Sequence, residues 1–183
     1  MRPYALNTNI LPENEPNRLK KLYEYQILDS GVEGEASAET EGTFRHVVSL
    51  ATHLFNMPIA LVSFVDRERV WFKAGVGLDG LKEVERDISL CSLAIMSEEP
   101  TVFSDTLEEP CLLANPLVAG ELGFRFYAAA PLKTIDGYNL GSVCVIDRVP
   151  REFSEDNQLT LQYLAKLVMD ELELWKFKVS SQK

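Results

Sequence analysis

Three cysteines, two histidines and a close run of carboxylates are the groups in this 183-residue chain whose chemistry is worth asking about. Cys91 opens an apolar segment that reads as a helix, a place where the backbone dipole favours a thiolate. Cys111 follows twenty residues later in irregular sequence, so the two thiols could meet in space. Cys144 lies in an apolar, strand-length run. An odd number of scattered cysteines with no Cys-x-x-Cys pair argues for free thiols in a reducing cytoplasm and against a disulfide framework or structural zinc. Buried, inert cysteine is the commoner outcome for such residues.

The other groups carry less. His46 and His53 are seven apart on one helix, sharing a face but separated by about 10.5 Å along its axis. That is too far for one metal ion, and with no other histidine the sequence argues against a Ser-His-Asp or Cys-His site. Asp105, Glu108 and Glu109 cluster, yet in a chain with 28 acids such a group reads as a solvated loop, not a glycosidase pair. Gly75, Gly77 and Gly80 have the spacing of a dinucleotide loop, but the charged stretch after them leads into no second parallel strand. It reads as a flexible loop.

Strand alternation makes the aromatic residues more informative. It puts Trp71 and Lys73 on one face with Phe72 on the other, and separates Arg125, Tyr127 and Ala129 from Phe126 and Ala128. Mixed aromatic and polar side chains on a half-covered sheet suit a ligand pocket, and core packing explains them nearly as well. The run Ala128-Ala129-Ala130 leaves room either for a ligand or for a helix crossing close to the sheet.

The elements that would position these residues follow from periodicity and punctuation. A helix begins near Glu15-Pro16-Asn17 and ends near Asp29-Ser30-Gly31. The acidic stretch Gly31–Gly42 reads as a surface loop, and Phe44, Val47, Val48, Ala51, Leu54 and Phe55 form the core stripe of the next helix. Pro58–Asp66 and Val70–Ala74 read as an antiparallel hairpin. A helix over Leu90–Ser97 follows, with Ser89 or Asp87 at its start, then a strand at Thr101–Ser104. Asp105–Gly123 is irregular with one helical turn. Two strands, from Arg125 and from Leu140, are joined across the turn signal Asp136-Gly137. The last helix runs from Ser154 to about Lys178 and carries two apolar stripes. One is Leu161, Leu164, Ala165, Val168, Leu172 and Trp175; the other is Leu159, Tyr163, Leu167, Leu174 and Phe177. A monomer buries one stripe, so the second points to a partner, either the N-terminal helix or another copy. Short connections between adjacent strands favour an antiparallel sheet and an α+β fold.

Composition sets the outer limits. The length suits one domain, with an N-terminal arm at 1–15, the domain at 16–179 and a short tail at 180–183. The formal charge of −10 opposes binding to nucleic acid or to an anionic membrane. Arg18, Lys20 and Lys21 form the one compact basic group near the N-terminus and read as a solvated helix face. No apolar run approaches membrane-spanning length, and the first residues lack the apolar core of a signal peptide.

Several motifs in register resemble the GAF domain, a small-molecule sensing module. They are Arg18-Leu19 with Ile27-Leu28-Asp29, Leu54-Phe55, the strand at 58–66, Val70-Trp71-Phe72-Lys73, and Ser89-Leu90-Cys91 with Ala94-Ile95. Asn115-Pro116-Leu117-Val118, the segment from Arg125 to Leu132, and Gly141–Asp147 with Pro150-Arg151 complete the set. The resemblance implies a central antiparallel sheet with helices on one face and a pocket on the other, the N- and C-terminal helices packed together, and dimerisation through them. The expected function is non-enzymatic sensing or regulation in signal transduction, with an unidentified small molecule, no cofactor, a homodimer and a separate output protein as partners. The candidate ligand set is Trp71, Lys73, Ser89, Cys91, Asn115, Arg125 and Tyr127; the candidate dimer contacts are Tyr163, Leu167, Leu174 and Phe177.

The departures matter too. Where the bacterial sensor subgroup has histidine two residues after the helix cysteine, this chain has Leu93, and Cys111 replaces an aromatic residue. The motifs of cyclic-nucleotide-binding and bilin-binding relatives are absent. Two alternatives stand beside the sensor reading: a thiol-dependent enzyme like the free methionine-(R)-sulfoxide reductases, using Cys91 and Cys111, and a structural dimerisation module with a filled pocket.

Overall fold

The computed structural model describes residues 11–30 and 38–181. Five helices and six strands are ordered α1 (Glu15–Glu24), α2 (Ala38–Phe55), β1 (Ile59–Val65), β2 (Arg69–Val76), β3 (Glu83–Glu85), α3 (Cys91–Ala94), β4 (Thr101–Phe103), α4 (Pro116–Ala119), β5 (Phe126–Lys133), β6 (Asn139–Asp147) and α5 (Glu155–Ser181). The strands form one sheet, β3-β2-β1-β6-β5-β4, in which every neighbouring pair is antiparallel. The α+β class follows directly. The first helix starts at Glu15 and the last runs past Lys178 to Ser181; residues 1–10 and 182–183 lie outside the described residues.

The central strands β1 and β6 are buried along their whole length because both faces of the sheet are covered. On one face lie α1, α2 and α5. Ala60, Val62, Phe64, Phe126, Val143 and Val145 pack there against Phe44, Val48, Leu164, Val168 and Trp175. Each valine, leucine or phenylalanine among them, fully removed from water, contributes about 1.5–3 kcal/mol before ordering entropy is counted. Ala128 and Ala130 face α5, which crosses β5 closely, so the alanine run makes room for a helix. The first α5 stripe is buried as the periodicity requires. Its main helix neighbour is α2, and the end of α1 joins it through Tyr25, whose hydroxyl donates to Glu173 and whose carbonyl accepts from Trp175 Nε1 at 2.9 Å.

Gly141 permits the tight seam between β1 and β6. A Cβ there would lie 1.8 Å from the Ser63 carbonyl oxygen and 2.8 Å from Phe64 Cα. In the nearby turn between β5 and β6, Gly137 takes φ +91°, completing the turn that Asp136-Gly137 signalled.

Several expectations need correction. The first helix stops at Glu24 because Gln26 and Asp29 adopt positive φ and turn Tyr25 and Ile27 into the core. The second helix already begins at Ala38, inside the stretch read as a loop; residues 31–37 lie outside the described residues. Leu54 is exposed and is not part of the core stripe. The charged stretch after Gly80 holds β3, an unforeseen strand fixed to β2 by pairing of Val84 with Val70 and by the Arg69–Glu83 ion pair at 2.6 Å. The helix expected over Leu90–Ser97 is a single turn, α3.

Arg18 is not solvated. Only 1% exposed, it donates to both carboxylate oxygens of Glu15, at 2.7 and 3.0 Å, and approaches the Asn139 carbonyl. Arg86 donates to the same Glu15 and to the Asp66 carbonyl. The buried trio joins the first helix to the segment that leads into α3.

Candidate functional site

The opposite sheet face is roofed by short pieces: α3, α4 and three single 3₁₀ turns at Arg86–Ile88, Thr106–Glu108 and Pro110–Leu112. Asparagine and aspartate side chains make these pieces possible. Asn115 Oδ1 accepts from Leu117 N at 2.8 Å, capping α4, while its Nδ2 donates to the Ile88 carbonyl. Asp105 accepts from Leu107 N and forms a two-pronged pair with Arg125, at 2.9 and 2.8 Å. Hydrogen bonds from Arg125 hold the Asp105 carboxyl below its usual range. The segment expected to be irregular with one turn is thus three short turns, each tied to the sheet or to its neighbour.

Beneath this roof Leu61, Leu90, Leu117, Phe124 and Ile146 line a small, partly open pocket of about 20 Å³, with Ser89, Cys91 and Tyr127 also lining it. That volume matches one water-sized molecule. An open cleft of about 390 Å³ adjoins it through the shared residues Leu61, Phe72, Leu78 and Leu81.

One side of the pocket merges into a buried polar row. Tyr127 donates to Cys91 Sγ at 3.3 Å, the Ser63 and Ser142 hydroxyls are 3.1 Å apart, and Cys144 belongs to the same buried cluster as Cys91. All five side chains are buried. Interaction with Cys144 holds the Cys91 thiol below its ordinary range; burial opposes this, and Ser63, Tyr127 and Ser142 add to the lowering. The same interaction, together with burial, drives the pKa of Cys144 well up. Burial, then the two thiols, raise that of Tyr127.

The structure divides the candidate ligand set. Ser89, Cys91 and Tyr127 line the small pocket. Asn115 shapes the roof as a helix cap, and Arg125 sits at its edge in the pair with Asp105. Trp71 and Lys73 lie on the helix-covered side of the sheet and also line the open cleft of about 390 Å³. Trp71 packs in the helix-covered core, and Lys73 Nζ lies 5.7, 5.9 and 5.3 Å from the rings of Phe44, Trp71 and Trp175. Alternation paired these two correctly but did not say which face the long helices cover. Ser63, Ser142 and Cys144 were missed; a hydroxyl in the middle of each of two apolar strands was the available signal. Cys111 is exposed, unlike Cys91. His46 and His53 are exposed on α2, and no cluster of three or more potential metal ligands occurs among the described residues.

The candidate dimer residues lie together on α5. Tyr163, Leu167, Leu174 and Phe177 are 51–73% exposed, so the N-terminal helix does not cover them. Among the described residues no helix is long and apolar enough to cross a membrane.

Comparison with known proteins agrees with this architecture. The GAF domain family matches residues 39–172. The cyclic di-GMP phosphodiesterase PA2567 of Pseudomonas aeruginosa is 38% identical over 159 residues, which are 86% of this chain and 26% of that protein; the chain thus spans about a quarter of its relative. The GAF domain of a phosphoenolpyruvate-protein phosphotransferase from Coxiella burnetii has a TM-score of 0.65 at 17% identity, covering 91% of this chain and 97% of that one. The free methionine-R-sulfoxide reductase of Neisseria meningitidis, solved with its substrate, has a TM-score of 0.62 at 16% identity, covering 90% of each chain. At such identities the two solved structures share the fold alone.

Proposed function

The chain belongs to the GAF domain family, and from that premise we propose that it is a non-enzymatic regulatory module in cytoplasmic signal transduction. One observation carries the reading. Helix α5 closes the sheet core with one stripe and presents a second, solvent-facing apolar stripe through Tyr163, Leu167, Leu174 and Phe177. Such a row suits pairing with α5 of a second copy. The same helix then connects a sensing face to a partner contact. A ligand shifts such an assembly only through unequal affinity for two helix arrangements. The lining of the pocket favours a compact, mainly apolar ligand that meets few polar groups. The likeness to a cyclic di-GMP phosphodiesterase supports an output in that kind of signalling.

Sedimentation velocity at micromolar concentration tests the reading. The wild type is expected to sediment as a dimer and a Leu167→Glu/Leu174→Glu variant as a folded monomer. A monomeric wild type removes the relay. The small size of this pocket supports a second reading, a pairing module without ligand. Native mass spectrometry of the purified dimer separates the two: a bound small molecule favours the sensor, and a bare dimer favours the pairing module.

A further inference from the structure

The open cleft of about 390 Å³ has no part in the regulatory reading above. Its charge runs against that of the chain. The protein as a whole carries a formal −10, yet among the described residues that line the cleft Arg45, Lys73 and Lys82 are basic and only Asp79 is acidic. The cations come from separate elements: Arg45 from α2, Lys73 from β2 and Lys82 from the residue before β3. Lys73 is held in position, its Nζ 3.0 Å from Ser30 Oγ. Arg45 and Lys82 are exposed, and neither side chain has a hydrogen-bond or ion-pair partner among the described residues. The wall that carries Lys82 is fixed by its backbone. Gly77, at φ +87°, seats the chain against the start of β1, where a Cβ would lie 2.2 Å from the Pro58 carbonyl oxygen. Leu81 N then donates to the Leu78 carbonyl at 2.9 Å, and Phe72 N to the Lys82 carbonyl at 2.9 Å. The turn thus folds back onto β2 and sets Lys82 opposite Phe72, one residue from Lys73.

We propose that this cleft binds a small polyanion, a phosphate- or carboxylate-bearing molecule with at least two negative charges, gripped by Arg45 and Lys82 while Lys73 supplies a third, fixed charge. Three cations against one carboxylate leave an excess of two positive charges, which a dianion matches and a monoanion does not. The guanidinium of Arg45 suits either oxyanion, since its fork of N–H donors fits two oxygens of a phosphate or a carboxylate. The volume lies in the range of small-molecule sites. Because the surrounding protein repels anions, the attraction is local to the cleft and weakens as salt screens it.

The test titrates the full, isotope-labelled chain with inorganic pyrophosphate and, separately, with citrate, and follows backbone amide shifts by NMR at low and at high sodium chloride. Saturable shifts are expected at the amides of Gly75, Gly77 and Lys82, with weaker binding at high salt. An Arg45→Glu/Lys82→Glu variant changes two exposed side chains, and the unaltered amide signals of Val143 and Val145 report that it folds. Its affinity is expected to fall at least about tenfold, the loss of one or more charged hydrogen bonds. A response to pyrophosphate alone assigns the cleft to phosphate-bearing molecules, one to citrate alone assigns it to carboxylates, and either supports the proposal. No saturable shift with either anion, shifts confined to other parts of the chain, or an undiminished affinity in the folded variant overturns it. Amide shifts in the cleft are read in monomer and dimer alike, so the result is separate from that of the sedimentation test.

Discussion

Arg86 and Glu15 form a buried ion pair that fastens the approach to α3 to the opening helix, and Arg18 shares the same carboxylate. Burial pushes the Glu15 pKa up, but hydrogen bonds and charge from Arg18 and Arg86 outweigh it and bring it from 4.5 to about 2. A carboxyl depressed in the folded state adds stability above its unfolded pKa and loses it as pH falls through the folded one. The contribution, on the order of 3 kcal/mol, is therefore present above about pH 5 and fades towards pH 2. Urea unfolding across that interval is expected to show the decline. A Glu15→Gln variant is expected to show a flatter profile and a loss of about 3 kcal/mol at pH 7, because two buried guanidinium groups lose their anion.

Gly141→Ala is expected to destabilise the fold by about 3 kcal/mol or more, since the added methyl group would meet backbone, which has little freedom to retreat. Thermal unfolding measures the change. Stability equal to the wild type would mean that the β1–β6 seam is looser than described.

Trp175→Phe removes the donor to the Tyr25 carbonyl while keeping much of the ring packing. The expected cost is about 1–3 kcal/mol, the range for a buried carbonyl left without its partner. Denaturant midpoints report it. A neutral result would assign the contact between the end of α1 and α5 to packing alone.

Leu117→Ala enlarges the small pocket at a cost of about 2–4 kcal/mol. The added space is apolar, so benzene is expected to bind there and raise the melting temperature of the variant but not of the wild type. Equal shifts in both proteins would place the binding elsewhere.

Much of this was legible in the sequence. The alternating strands, the Asp136-Gly137 turn and the two rows of the last helix were readable because period and punctuation are local properties. β3 was not, because three residues reading Glu-Val-Glu carry no apolar run; their pairing partner and the Arg69–Glu83 contact define the strand. Arg18 looked like Lys20 and Lys21, and only the position of Glu15, Arg86 and Asn139 around it explains its burial. The site was half readable for the same reason. Ser89, Cys91 and Tyr127 line one small pocket, while the side of the sheet on which Trp71 and Lys73 fall depends on where α2 and α5 dock, a decision made by the whole core.

Helix α5 is 27 residues long and spans about 40 Å. A rod of that length resists bending over one turn, so a small swivel where it lies on β5 reappears, nearly undiminished, at its far end. There Phe177 is the most exposed member of the outer row. The amplitude of any movement leaving this domain would be set by torque on a single shaft.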